Sequence, residues 1–336
     1  MATTNEQQKT PMTYVRLGKS GLKVSRIILG CMSYGSPEWD DWVLGEEESI
    51  KHIKAAYDAG INTFDTANVY SNGMSEVVLG KAIKEHNLPR DGIVVMTKLW
   101  FATPKTPAEK FVFGDPDTLG YANRHGLSRK HIFESIKLSL ERLQLDYVDV
   151  LQCHRFDPDT PIAETMHALH DIVKAGYVRY VGMSSCWAWQ FHAMQNYAIN
   201  NNLTPFISMQ NHYNLIYREE EREMYPTLKL LGVGSIPWSP LARGLLSRPF
   251  DAQKDSTRSK TDVFISIYTN KGMEPVINAV EKIAKNRNAR VTAPIIGTTS
   301  LKNLYDSLGA INIELTKDEI KELEAGYVAQ EAAGHN

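Results

Sequence analysis

Four side chains able to carry proton transfer fall at or just beyond the ends of short apolar runs. Asp65 closes the run 62–65, Lys98 closes 93–98 and His154 closes 148–154, while Tyr70 follows Asp65 through Thr66, Ala67, Asn68 and Val69. A phenol is a poor proton donor to a carbonyl near neutral pH, because its reference pKa is about 10. A buried ammonium beside it, itself kept charged by a carboxylate, stabilises the phenolate and eases the donation. An imidazole close by can hydrogen-bond the oxygen that receives the proton. Singly, these residues have ordinary explanations: a tyrosine after a strand is commonly a half-buried loop aromatic, and a lone histidine is commonly structural. Lys98 is different, since a lysine ending Ile93-Val94-Val95-Met96-Thr97 must either escape to solvent or find an anion. The four acquire a meaning only if the fold brings them to one place.

Such convergence needs strands whose ends share a cavity. From Ile27 onward the chain repeats an apolar run, a polar break and a segment of helical periodicity. Strands are expected over 27–31, 62–65, 93–98, 148–154, 178–183, 206–210, 233–238 and 293–297. Helices are expected over 47–59, 75–86, 128–143, 162–175, 188–199, 219–231, 275–287 and 301–308. In the third helix Ser128 is the N-cap, and Ile132, Ile136, Leu140 and Leu143 form one stripe. Asp65, Lys98, His154, Ser184, Gln210 and Trp238 each end a different strand. A closed ring gathers them around one mouth, whereas an open doubly wound sheet spreads them along an edge. The expected fold is therefore an α/β protein, a (β/α)8 TIM barrel. Residues 13–24, with Gly18 and Gly21 in their turn, add an N-terminal β-hairpin cap.

The 336 residues are 43% hydrophobic and 23% charged, enough to bury a large core in a single domain over 12–330, behind a polar tail at 1–11 expected to be disordered. That tail lacks the apolar centre of a signal peptide. With 37 basic and 39 acidic residues the net charge is −2, and no basic block supports binding to nucleic acid or to an anionic membrane surface. No apolar run is long enough to cross a bilayer. Three widely spaced cysteines, Cys31, Cys153 and Cys186, argue against a disulfide framework and for a reducing compartment, with a cytoplasmic location as the default. A small-molecule partner is expected, for a monomer or a weak homo-oligomer.

Two connections are too long to be joints, and long irregular loops in compact domains tend to be lids or binding loops. The first, 100–127, holds Trp100, Phe101, Phe111, Phe113 and Tyr121 and suits an apolar or aromatic substrate. The second, 241–272, holds Arg243, Arg248, Lys254, Arg258 and Lys260 and suits a phosphorylated cofactor. Other signals carry less. His167 and His170 lack a third metal ligand at a suitable spacing. Gly232-Val233-Gly234 precedes a strand instead of opening a helix, so it reads as a turn. Cys153 and His154 are successive strand residues facing opposite ways, which spoils a thiol–base pair.

The residues from Gly60 to Tyr70, Thr97 to Trp100, Leu143 to His154, Gly176 to Ser185, Gln210 to Asn214 and Pro237 to Leu241, in this order, make the chain resemble an aldo-keto reductase. Within that family it is most similar to the fungal aryl-alcohol dehydrogenase and versiconal-reductase branch. The resemblance implies an NADP(H)-dependent oxidoreductase that reduces a small-molecule carbonyl substrate, aromatic or bulky and apolar, to an alcohol. It makes Tyr70 the proton donor, Lys98 its partner, Asp65 the anchor of the lysine and His154 the group that orients the carbonyl. Ser184, Ser185 and Gln210 would hold the carboxamide and Trp238 would stack on the nicotinamide. Ser239, Leu241 and Arg243 would contact the pyrophosphate, and Gly297, Thr298, Ser300 and Asn303 the adenosine phosphate, where a helix start is a natural anion site. Met32, Tyr34 and Trp100 would wall the substrate pocket. An alternative within the family is a cofactor-binding sensor barrel or a catalytically weakened variant.

Several positions depart from the family pattern. Ser185 stands where Asn is usual, and Gly297 and Asn303 stand where many relatives carry Lys and Arg, which leaves Lys302 as the nearest cation. The family also carries a second amphipathic helix before the eighth strand, and here a shortened segment runs from Arg287 through Asn288-Ala289-Arg290 directly into Val291. Two outcomes are expected: the helix over 275–287 shifts to cover the barrel, or an apolar patch near strands seven and eight is exposed.

Overall fold

The computed structural model describes residues 12–110, 114–255, 257–268, 270–287 and 295–335. The chain opens with the antiparallel hairpin β1 (Tyr14–Arg16) and β2 (Lys23–Ser25). Strands and helices then alternate as β3 (Ile28–Gly30), α1 (Glu46–Asp58), β4 (Thr63–Asp65), α2 (Met74–Glu85), β5 (Val94–Leu99), α3 (Arg129–Leu143), β6 (Val148–Cys153) and α4 (Ile162–Lys174). They continue through β7 (Val178–Ser184), α5 (Ala188–Asn200), β8 (Phe206–Gln210), α6 (Met224–Leu231), β9 (Gly234–Ser235), α7 (Thr257–Thr261), α8 (Met273–Asn286), β10 (Ile295–Ile296), α9 (Leu301–Leu308) and α10 (Lys317–Ala325). The parallel sheet runs β10-β3-β4-β5-β6-β7-β8-β9. From β3 to β9 each strand pairs with its chain successor, and β10 returns to pair with β3, which is the order of a (β/α)8 barrel.

Side-chain alternation divides this sheet into an inner and an outer face. On β5, Val94 and Met96 point into a cluster with Leu17, Val24, Ile28, Val150, Ile236 and Ile295, whereas Val95 and Leu99 join the layer packed beneath the helices. Continuing the inner face one step brings Lys98 to the barrel mouth. The helices bury the stripes that periodicity predicts: Ile132, Ile136, Leu140 and Leu143 of α3 are all buried. Ser128 caps α3 by accepting from the His131 amide at 3.2 Å, a contact typically worth about 1 kcal/mol.

The hairpin closes the end of the barrel opposite the mouth. Leu17 and Val24 enter the inner cluster, and the Lys19 amide donates to the Gly232 carbonyl at 2.8 Å. Gly18 sits at φ +59, and a Cβ there would stand 2.5 Å from the Gly232 oxygen, so this plug requires glycine.

The chain after β8 departs from expectation. The strand expected over 233–238 shortens to Gly234–Ser235, and Trp238 is held by a bridge to His212. The helix expected over 219–231 becomes a 3-10 turn, Glu219–Glu221, followed by α6, whose first turn tolerates Pro226 because that position has no helical hydrogen bond to donate. The strand expected over 293–297 is Ile295–Ile296, and residues 288–294 and the tail at 1–11 lie outside the described residues. Among the described residues no ladder joins β9 to β10; Ile236 and Ile295 instead meet as side chains in the inner cluster. The first expected outcome of the shortened return, a helix shifted over the barrel, does not describe α8. Its apolar face, Val276, Ile277, Val280 and Ile283, is buried, but against Leu245, Leu246, Tyr268 and Leu323 of the loop layer and α10 and not against the barrel strands.

Candidate active site

The end of β4 places Asp65 beside the end of β5, and the register Asp65–Met96 sets Lys98 one step further toward the mouth. Lys98 is fully buried. Its ammonium donates to Asp65 Oδ2 at 2.6 Å, to the Thr66 carbonyl at 2.8 Å and to Tyr70 Oη at 3.2 Å. Burial opposes its charge, but Asp65 and Tyr70 outweigh that effect and raise its pKa. Asp65 is fixed from its other side, where Oδ1 accepts from Gln152 Nε2 at 3.0 Å and Gln210 Nε2 at 2.8 Å. Gln210 also donates to Gln152 Oε1 at 3.1 Å. The carboxylate therefore cannot rotate away from the lysine without losing bonds from three strands.

Tyr70 reaches this group through a turn that only a strained backbone can make. Ser71, Asn72 and Gly73 follow it at φ +48, +51 and +97, and non-glycine residues kept at positive φ concentrate at functional sites. Asn72 uses the turn to hold the first long loop, donating to the carbonyls of Thr106 and Glu109, both at 2.8 Å. Behind the turn, buried Glu76 accepts from Thr97 of β5 at 2.5 Å and from Arg142 of α3 at 2.6 Å.

His154 packs edge-on to Tyr70, with ring centroids 5.8 Å apart, and Phe101 packs on it at 5.0 Å. Burial, then the Arg155 and Lys98 cations, hold its pKa well below the ordinary histidine value, so the ring is neutral. Nδ1 is buried without a partner. The tautomer with its proton on Nε2 leaves no buried N–H unpaired and presents a donor to the cavity.

These residues open onto one cavity of about 2700 Å³, which extends from Tyr70, Trp100 and Met32 past Trp238 to Gly297, Thr298 and Asn303. Ser184, Gln210, Ser239, Leu241 and Arg243 line it as well. Three predicted residues stand elsewhere. Tyr34 is fully buried under α1, with its hydroxyl 3.4 Å from His52 Nδ1, and forms no part of the cavity wall. It follows the 3-10 turn Cys31–Ser33 and packs into the layer beneath the helices, away from the pocket wall that the resemblance implied for it. Ser185 lies behind Trp238 and accepts from its indole Nε1 at 2.9 Å. Ser300 stands at the N-cap of α9 and is tied to Thr298 Oγ1 through its amide at 3.2 Å. In the first long loop Trp100 and Phe101 reach the cavity and Tyr121 is buried, while Phe111 and Phe113 lie outside the described residues.

The cavity fits an extended anionic cofactor with an aromatic head. Trp238 stacks on His212 at 4.1 Å and 10°, and His212 stacks on Tyr217 at 4.1 Å and 15°, so one indole face is already covered by a stiff column. Beyond it, Ser239, Ala242, Arg243 and Gly244 are all at positive φ, +53, +47, +56 and +100. Arg243 and Arg258 both pair with Asp262. Burial opposes the Asp262 charge, but Arg243 and Arg258 outweigh it and hold the carboxylate below its usual range. Arg243 Nε remains buried without a partner, a donor free for an anion. Arg258 also lies 4.3 Å from the Trp42 ring centroid, which links the second long loop to the loop after β3.

Sequence reasoning passed over Gln152, Glu76, Arg142, His212 and His52. Gln152 had a signal, standing two residues before His154 on the same strand face. His52 had none: it is a buried helix residue whose hydrogen bond to the Thr298 backbone depends on how α1 meets the loop after β10. His167 and His170 contact Tyr197 and Thr204, and no group of metal-ligating side chains occurs among the described residues. Nor is any helix among them long and apolar enough to cross a membrane. Cys31, Cys153 and Cys186 are buried free thiols.

Comparison with known proteins places this geometry. Residues 26–327 match the model of the Aldo/keto reductase family. An aldo-keto reductase of Alternaria alternata is 46% identical over 342 residues, covering 96% of this chain and 93% of that protein. A putative aryl-alcohol dehydrogenase of Schizosaccharomyces pombe is 46% identical over 341 residues, covering 95% and 96%. The versiconal hemiacetal acetate reductase of Aspergillus parasiticus is 45% identical over 340 residues, covering 94% and 97%.

Proposed function

The chain belongs to the aldo/keto reductase family, and from that premise we propose that it uses NADP(H) to reduce aromatic or bulky apolar aldehydes and ketones to alcohols, in the cytoplasm. The observation that carries the reading is the fully buried Lys98 ammonium, bonded at once to Asp65 and to Tyr70 at a cavity mouth. Neutral His154 donates Nε2–H to the substrate carbonyl and orients it toward Tyr70. Trp238 would hold a reduced nicotinamide, whose chemistry would supply the hydride for the carbonyl carbon. Tyr70 Oη gives its proton to the carbonyl oxygen, and Lys98 stabilises the phenolate left behind until solvent returns a proton. Trp100, Phe101 and Met32 supply the apolar wall that favours bulky substrates.

The test is cofactor consumption, with NADPH and with NADH, against a panel of aromatic and aliphatic aldehydes. Wild type should prefer NADPH and the aromatic members. Tyr70→Phe should lose about 100- to 10,000-fold in kcat while still quenching its tryptophan fluorescence on NADPH addition. Full turnover by Tyr70→Phe would overturn the assignment.

A further inference from the structure

Arg155 follows His154 into the cavity wall. Burial pulls its pKa down to about 10, against the opposing influence of Tyr70 and Cys186. A cation withdrawn from water ordinarily has a carboxylate partner. Arg90, Arg142 and Arg243 follow that rule, with Asp149, Glu76 and Asp262. Arg155 does not: among the described residues no carboxylate lies within 4.0 Å of it. Its Nη1 donates to the His154 carbonyl at 2.6 Å. Its guanidinium carbon lies 5.7 Å from the Phe101 ring centroid, and Phe101 itself packs on His154. On the Nη2 side stands Gly334, where a Cβ would be 4.0 Å from Nη2 and 3.9 Å from Trp238. Among the described residues this planar cation has no ionic partner, and it lines the cavity together with His154, Phe101 and Trp238.

We propose that Arg155 is a specificity-determining residue that holds a carboxylate borne by an aryl carbonyl substrate whose reacting carbon lies between Tyr70 and His154. This rests on the carbonyl-reductase reading above. A guanidinium matches a carboxylate in two parallel hydrogen bonds, and its partial withdrawal from water strengthens them. Without a substrate carboxylate the cation stays unpaired, so neutral analogues of the same shape bind less well.

The test compares kcat/KM for 3- and 4-carboxybenzaldehyde with that for their uncharged methyl esters, in wild type, Arg155→Met and Arg155→Lys at saturating NADPH. Wild type should favour the acid over the ester by about 10- to 100-fold for at least one isomer. The ratio should collapse in Arg155→Met and be partly retained in Arg155→Lys. Because each ratio is taken within one protein, a general loss from disturbing His154 cancels. Calorimetric binding of benzoate against benzamide in wild type and Arg155→Met reads the anion site without turnover. An acid-to-ester ratio near one in wild type, or a ratio that survives in Arg155→Met, overturns the proposal. Should the esters be reduced with no preference for acids, the reductase reading stands and the anion site falls. If no aldehyde is reduced, yet benzoate outcompetes benzamide only while Arg155 is present, the anion site stands and the reductase reading falls.

Discussion

Lys98 is the residue around which the site's energetics turn. Its ammonium has no exposure, and removing one member of a buried ion pair typically costs about 3–5 kcal/mol because the other charge is left without compensation. Asp65→Asn should therefore lower stability by an amount of that order, read as the urea midpoint, and lower kcat with it. The pH dependence gives a second check. Lys98 holds its proton more tightly folded than unfolded, so its stabilising contribution is complete below the ordinary lysine value of 10.5 and disappears as pH rises through the raised folded value. In Asp65→Asn the largest raising influence is gone and burial acts with less opposition, so this alkaline loss of stability should vanish. An unchanged alkaline profile would mean that Asp65 does not hold the lysine charged. Lys98 could be singled out in the sequence because a charge ending an apolar strand contradicts its surroundings. Gln152 and Gln210 contradict nothing where they stand, and their grip on Asp65 emerges only from the registers of β6 and β8.

Elements position these residues through turns that side chains pin in place. Asn72 is the clearest case. It takes the left-handed conformation that asparagine tolerates better than most residues, and its amide holds two carbonyls of the loop between β5 and α3. Alanine keeps neither advantage. Asn72→Ala should cost about 1–3 kcal/mol from the lost bonds and backbone strain, free the segment around Thr106–Glu109, and raise KM for bulky aldehydes more than for small ones. Limited proteolysis within 100–127 reads the loosening directly, and a cleavage rate equal to wild type would show that something other than Asn72 fixes the loop. Helices and strands as far as β8 were legible because their apolar spacing is regular and each stripe has one place to go. The region after β8 was not. Its helix α8 has as strong an apolar stripe as α3, but periodicity states only that a face must be buried, not whether barrel strands or a loop layer will bury it.

At the scale of the molecule, the barrel holds several histidines in surroundings that exclude charge. Burial is the leading cause for each: it lowers His131 to about 4, with His125 and Arg124 adding to the effect, lowers His212 to about 3, with Arg243 next, and keeps His154 well below its ordinary value. Once unfolded, each would take up a proton near 6.5. Proton uptake therefore accompanies unfolding, and by linkage stability is complete above about pH 6.5 and drains as pH falls below it toward the lowered folded values. Each group contributes at most about 1.4 kcal/mol per pH unit in that window. Three together predict a loss on the order of 6 kcal/mol between pH 7 and pH 5, before carboxylates begin to titrate. His212 bears most directly on function, because it backs Trp238 in the ring stack, and a proton there would put a charge beneath the surface against which the nicotinamide is proposed to lie. Urea midpoints at pH 7 and pH 5 measure the loss, and His131→Gln should make the dependence shallower by removing one proton from the balance. A midpoint that does not move between the two pH values would show that these rings carry their protons within the fold.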